Sequence, residues 1–385
     1  MRYKVLIIVL LFITFFRIGQ SIYSQKEKFF SRGWSGRFQE YQKAYFSSQY
    51  IQKKNPGIIP DESLEIFAAE SFLRGLNPIL IVHDHPPLGR YIVALSLIIF
   101  DNPHVIMIPL ILLSLLGLFL VGYEILPNAA IALIPVLFFA NEPLLLDKFV
   151  STPLLEPIQF PFLVFALYFF ILGVTKKNCL LYFIATAIML GFVISIRFFA
   201  TGAALLFCML TYFLLQRKLS KSLFLFLATL PLSLVILLLS YTRTMMDGYS
   251  VIKIFGIQKY ILVYHKSKFI LPFTYWDLLL FNRWHTWWGT WAISSDAHWI
   301  ITWPLGMIFS ISNFLYGIFK KISFQPGETV MMLWIFVYSA MLSTGYTSTN
   351  YFLPIIPFTY IIATAFFVKI VKKYQVINNK KKIIV

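Results

Sequence analysis

The run Leu88-Gly89-Arg90-Tyr91-Ile92-Val93-Ala94-Leu95-Ser96-Leu97-Ile98-Ile99-Phe100 decides how this chain is organised. It is apolar enough for lipid, but a helix of ~13 residues rises only ~20 Å, short of a ~30 Å hydrocarbon core. Whether it crosses determines which loops share a side. Longer apolar runs lie near 4–20, 104–122, 129–146, 154–174, 178–196, 198–216, 222–241, 300–319, 328–346 and 351–368. Only 13% of the 385 residues are charged, against about 25% in a soluble protein. With a mean hydropathy of +0.76, the chain reads as an all-α polytopic membrane protein.

Short loops rich in Lys and Arg face the cytoplasm. Here they are Arg2/Lys4, Lys176-Lys177, Arg217-Lys218 with Lys221, Lys320-Lys321 and the tail from Lys369 to Lys382. If 88–100 rests in the interface, about ten spans put all these groups on one side. If it crosses, the parity breaks before Lys176. The expectation is therefore one membrane-embedded domain over 1–385. It has two long external loops bearing interfacial helices (21–103 and 242–299) and a basic cytoplasmic tail, 369–385. The turns near Asp147, Arg197 and Asn350 fall on the external side.

The net charge of +17 is concentrated in those loops and the tail, which suits anionic lipid and argues against a nucleic-acid groove. Cys179 and Cys208 stand apart in apolar segments, implying neither a disulfide framework nor a zinc site. The first apolar run is interrupted by Arg17 and lacks a small-residue cleavage site, so it reads as a signal anchor.

Polar chemistry gathers in the first long loop. Four of the sixteen acidic residues, Asp61, Glu62, Glu65 and Glu70, fall within ten positions. Pro60 marks the entry to a helix expected from about Glu62 to Arg74. Asp61 reads either as its N-cap or as a base at the membrane surface. Phe67, Ala68, Phe72 and Leu73 suit a helix lying on that surface. His83-Asp84-His85 precedes Pro86-Pro87, which set an extended turn. The imidazoles read as ligands for phosphate or metal, or as a solvated loop.

Further along, Glu156 between Leu155 and Pro157 calls for a partner or a cavity at bilayer depth. Arg197 reads as a bidentate phosphate ligand or as the marker of a turn. Seven of nine tryptophans lie at Trp276, Trp284, Trp287, Trp288, Trp291, Trp299 and Trp303. Most of these suit an interfacial belt. Arg283, His285 and Asp296 among them supply polar contacts a belt does not need.

With these residues in view, the sequence resembles the membrane glycosyltransferases of the C superfamily (GT-C). The branch it looks closest to holds the protein O-mannosyltransferases and lipid A aminoarabinose transferases. The carriers are Asp61-Glu62 and His85-Pro86-Pro87-Leu88-Gly89-Arg90, where that family commonly ends in lysine. Others are Leu155-Glu156-Pro157, the Trp299 to Leu305 run with Trp303-Pro304, and Tyr351-Phe352-Leu353-Pro354 with Pro357. The chain departs from the family pattern at Lys148 with Glu156, and at Asn350, where a basic residue often precedes the tyrosine.

The resemblance implies a GT-C-like bundle, with Asp61 matching the catalytic aspartate and Glu62 beside it. It implies a polyprenyl-phosphate sugar donor, with a hydroxyl acceptor on protein, lipid or glycan, while the charge parity puts the expected site at the outer face of the plasma membrane. Asp61 would take the acceptor proton, and cations would hold the phosphate charge. Candidates for substrate contact are His83, Asp84, His85, Arg90, Glu156, Arg197, Arg283, His285 and Trp288. A divalent cation is left open by His83, Asp84, Glu62 and Glu156, whose spacing assembles no coordination shell. The rivals are a lipid-linked sugar flippase, disfavoured by the lack of an internal repeat, and a scaffold of a membrane complex.

Overall fold

The structure is a computed structural model. It describes residues 2–52, 54, 56–216, 221–266, 271–286, 292–345 and 347–383. It is helical nearly throughout. Before the bundle body come α1 (Arg2–Ser24), α2 (Lys26–Phe30), α3 (Phe38–Phe46), α4 (Asp61–Leu73) and α5 (Leu88–Phe100). Then follow α6 (Met107–Ile125), α7 (Ala129–Ala140), α8 (Leu155–Thr175), α9 (Cys179–Ile196) and α10 (Ala200–Leu215). Next are α11 (Lys221–Thr229), α12 (Pro231–Ser240), α13 (Thr242–Met246), α14 (Val251–Lys266) and α15 (Thr274–Phe281). The two-residue strands β1 (Trp284–His285) and β2 (Ile293–Ser294) pair antiparallel. The chain closes with α16 (Thr302–Lys320), α17 (Pro326–Ser343) and α18 (Ile356–Ile383).

Helices stand on all ten expected spans, as the apolar runs require, since only internal hydrogen bonding satisfies the backbone in lipid. Among the described residues, five are long and apolar enough to cross: Tyr3–Ser24, Met107–Ile125, Leu155–Thr175, Cys179–Ile196 and Lys221–Ser240. The last is broken at Pro231, which cannot donate a helical hydrogen bond. The run expected at 129–146 ends early, at Ala140, and a π-helical turn over Leu145–Phe149 takes the place of its last residues.

The helix ends sort as the charge argument demands. At one end, Arg17 Nε donates to Asn141 Oδ1 at 2.9 Å, and His104 meets the Ser151 carbonyl. Trp303 Nε1 donates to Glu142 at 2.8 Å in the same layer. At the other end, Lys176 pairs with Glu124 at 3.3 Å, and Lys369 pairs with Glu328. Lys176 and Lys369 thus lie opposite the layer that holds Asp61, Glu156 and Arg197.

Helix α5 packs across that polar layer. Gly89 explains the fit: a Cβ there would lie 2.6 Å from Leu155 Cδ2 and 2.9 Å from Ile196 Cγ2. Val93, Ala94 and Leu97 continue the contact with Met107, Leu110 and Ile158, while Ile98 and Ile99 face outward. Two expectations for this loop are corrected. Helix α4 does not lie on a surface: Phe67, Ala68 and Ala69 are fully buried, under Tyr41 and Tyr45 of α3 and against α5. Pro87 is not extended but sits in the αR region, where it starts α5.

Candidate active site

The extended residue Pro60 precedes α4, and Asp61 opens its first turn with its side chain exposed. The N-cap position belongs to Pro60, so Asp61 is not the cap. A carboxylate there is stabilised by the helix dipole. Its charge acts on the hydroxyls of Tyr50, of Tyr264 in α14 and of Tyr351. The start of α4 therefore shares an electrostatic neighbourhood with both long loops and with the approach to α18.

Glu62 faces elsewhere. Both its oxygens lie 3.2 Å from Lys28 Nζ, and Oε1 lies 3.5 Å from Nε2 of His104. His104 has no exposed surface and lies edge-on to Trp34 at 4.8 Å. Glu62 thus ties α4 to α2 and to the approach to α6. The sequence reading did not single out His104, which lies at the edge of an apolar run.

Two of the expected contacts converge. Arg197, at the end of α9, pairs with Glu156 in the first turn of α8 at 3.0 Å. Its guanidinium lies over the Tyr351 ring, 4.7 Å from the centroid. Tyr338 of α17 is buried within electrostatic reach of both charged groups. Sequence reasoning missed Tyr338 because it sits inside an apolar span, where a tyrosine reads as core. Beside Arg197 opens an apolar groove of about 640 Å³, lined by Phe198, Phe199, Phe207, Leu262, Phe336 and Met341 among others.

The other candidates are placed apart from this group. Arg90 is corrected as a phosphate ligand: it is fully buried and its donors are taken. Nε donates to Glu65 at 2.7 Å, Nη2 donates to Asp84 at 2.8 Å, and Nη1 donates to the Val82 carbonyl. One cation thus holds two carboxylates, and burial pushes the Glu65 carboxyl up to about 7 against the lowering effect of Arg90. Asp84 belongs to this clamp, and His85 lies 3.9 Å from it. His83 is half-buried against Tyr260 of α14, with ring centroids 5.0 Å apart. Burial holds its imidazole below the usual range.

Nearby, Asn77 donates to Asp247 at 2.9 Å, a second tie between the long loops. His285 pairs with Asp277 at 2.9 Å, and Arg283 is exposed beside it. Asp296 joins this hairpin to the bundle by accepting from Thr349 at 2.8 Å. Trp288 lies outside the described residues. Among the described residues no three His, Cys, Asp or Glu side chains are grouped to hold a metal ion.

Residues 84–241 match the family model described as dolichyl-phosphate-mannose-protein mannosyltransferase. Among solved structures the chain is similar to ArnT from Cupriavidus metallidurans bound to undecaprenyl phosphate. The TM-score is 0.59 at 15% identity, covering 87% of this chain and 60% of that one. The apo state of the same protein gives a TM-score of 0.58 at 15% identity, with 80% and 55% covered. The archaeal oligosaccharyltransferase AglB from Archaeoglobus fulgidus gives 0.47 at 12% identity, with 78% and 44% covered. No curated protein matches in sequence.

Fold and family match together place the chain's polytopic helical fold beside that of ArnT. The match to the mannosyltransferase family model begins at Asp84 and ends at Tyr241, less than half of the chain, and the chain spans 60% of the ArnT length.

Proposed function

We propose that this protein moves a sugar from a polyprenyl-phosphate donor to a hydroxyl acceptor on protein, lipid or glycan. The reaction takes place at the outer face of the plasma membrane. The observation that carries the reading is the convergence of Asp61, Tyr351 and the Arg197–Glu156 pair, with an apolar groove that begins at Phe198, the residue after Arg197. A lipid phosphate needs a cation at an apolar slot, and an acceptor hydroxyl needs a base within reach.

Asp61 takes the acceptor proton as its oxygen attacks the anomeric carbon. The bond from that carbon to the phosphate oxygen breaks, and the lipid phosphate leaves with the electron pair. Because phosphate is already a stable leaving group, no acid has to protonate it. Arg197, with the Tyr351 hydroxyl beside it, meets the developing charge. Glu156 orients the guanidinium, and the prenyl chain enters along Phe198, Phe199 and Phe207. A single displacement inverts the anomeric centre. No step is routed through a metal ion.

The test is transfer from a radiolabelled polyprenyl-phosphate hexose by purified protein, wild type against Asp61→Asn. Removing a general base should slow transfer by about 10²–10⁴-fold with unchanged thermal stability. Normal transfer by the variant removes Asp61 from the mechanism. Transbilayer movement of the lipid without transfer favours a flippase.

A further inference from the structure

A second groove, of about 690 Å³, shares no lining residue with the one beside Arg197. Ile134 and Phe138 of α7 form one wall, Leu305 and Phe309 of α16 the other, and Ala363 and Phe367 of α18 the floor. Tyr360 and Lys372 both line it, so it follows α18 for twelve residues, ~18 Å of helix rise. That is more than half of a ~30 Å hydrocarbon core. At the Tyr360 end the hydrogen bond from Trp303 to Glu142 draws α7 and α16 together. Below that tie the groove opens between them.

The two ends differ in what they offer a ligand. At the upper end the Thr302 and Tyr360 hydroxyls bond one another at 2.7 Å, and Tyr360 also donates to Glu142. Those donors are spent within the protein. At the lower end Lys372 is exposed and lines the mouth. Its neighbours are engaged: Lys369 with Glu328 and Asn313, and Lys373 over the Tyr316 ring at 5.9 Å. Among the described residues no carboxylate pairs with Lys372. An apolar slot with its available charge at the basic end fits an amphiphile whose anionic head sits at that end.

We propose that this groove is a binding site for an anionic phospholipid of the leaflet on the lysine-rich side. Its phosphate meets Lys372 and one acyl chain fills the slot between α7 and α16. A zwitterionic lipid has the same phosphate but carries an amine that cancels the net attraction to the lysine. One lysine at a membrane surface is worth on the order of five-fold in affinity. The lipid acts as mortar where α7 and α16 diverge. The inference does not depend on the proposed transfer reaction.

The test is mass spectrometry of the full-length protein in mild detergent, with phosphatidylglycerol or phosphatidylcholine added. Wild type should hold about one phosphatidylglycerol per chain through detergent exchange. Lys372→Gln should lower the preference for phosphatidylglycerol about five-fold. Ala363→Trp fills the floor and should abolish retention of either lipid. Should that variant not fold, Val371→Trp, at a 54% exposed position on the groove, should weaken retention without disturbing the core. Lipid that exchanges freely from wild type, equal retention by the tryptophan variants, or an unchanged preference in Lys372→Gln overturns the proposal.

Discussion

Arg90 and Arg197 stand in the same polar layer, both drawn from apolar surroundings and both paired with carboxylates, yet they do opposite work. Arg90 has no exposed surface, and Glu65, Asp84 and the Val82 carbonyl take up its donors. It closes α5 onto α4. Arg197 gives one nitrogen to Glu156, hydrogen-bonds the Tyr351 hydroxyl, keeps 12% of its side chain exposed and precedes the first lining residue of an open groove, Phe198. A cation whose hydrogen-bonding capacity is exhausted is a tie, and one with capacity left beside a cavity is a site. Formal charge and spacing do not separate the two cases; the number of committed donors does.

The comparison breaks most visibly if Arg90 is removed. Arg90→Gln leaves the buried Glu65 and the partly buried Asp84 without their cation, and breaking a buried pair costs about 3–5 kcal/mol. A fall in thermal stability should follow, partly recovered in the double variant Arg90→Gln/Glu65→Gln. Full stability in the single variant would show that Arg90 is not a structural tie. Arg197→Gln should instead leave the fold largely intact. Losing one charge-assisted contact to phosphate is worth about 1.5–3 kcal/mol, read as a drop of roughly 10- to 100-fold in kcat/KM for the lipid donor. Neutralising Glu156 as well should not restore it. Recovery in that double variant would make Arg197 a second tie and remove it from the site.

The fold was legible because the signal for it is long: each of the ten apolar runs carries helix, and Lys176 and Lys369 lie at the same end. The start of α4 was legible for a local reason, since a proline followed by carboxylates favours a helix start. What was not legible is which way a charged side chain faces once helices pack. Glu65 and Arg90 are 25 residues apart. They meet because α4 packs against α5, while Gly89 seats α5 closely on Leu155 and Ile196, and spacing reveals neither contact. Tyr338 was hidden for a related reason, because inside a span a functional tyrosine and a core tyrosine have the same neighbours in sequence.

The close seat at Gly89 gives a finer probe of how the clamp is set. Gly89→Ala would place a methyl 2.6 Å from Leu155 Cδ2, and overpacking of this kind costs about 1–3 kcal/mol. Because Leu155 adjoins Glu156, the strain reaches the open cluster as well as the closed one. The variant should lower both thermal stability and transfer. Loss of stability with unchanged transfer would show that the two arginine clusters respond independently.

The clamp also has a pH dependence, and its sign follows from the charge count. One guanidinium faces two carboxylates, so a proton retained on Glu65 relieves the excess negative charge. Burial raises the Glu65 carboxyl to about 7, from 4.5 for an ordinary glutamate. Between those values the folded state binds more protons than the unfolded chain, so stability must fall as pH rises. The contribution is fully present below about pH 4.5, is lost through about pH 7, and changes no further above it. Glu65→Gln keeps the shape and cannot titrate. The unfolding midpoint of wild type should therefore decline from about pH 5 to about pH 8 more steeply than that of the variant. Equal slopes would mean that Glu65 is ionised throughout and that the clamp keeps one net negative charge.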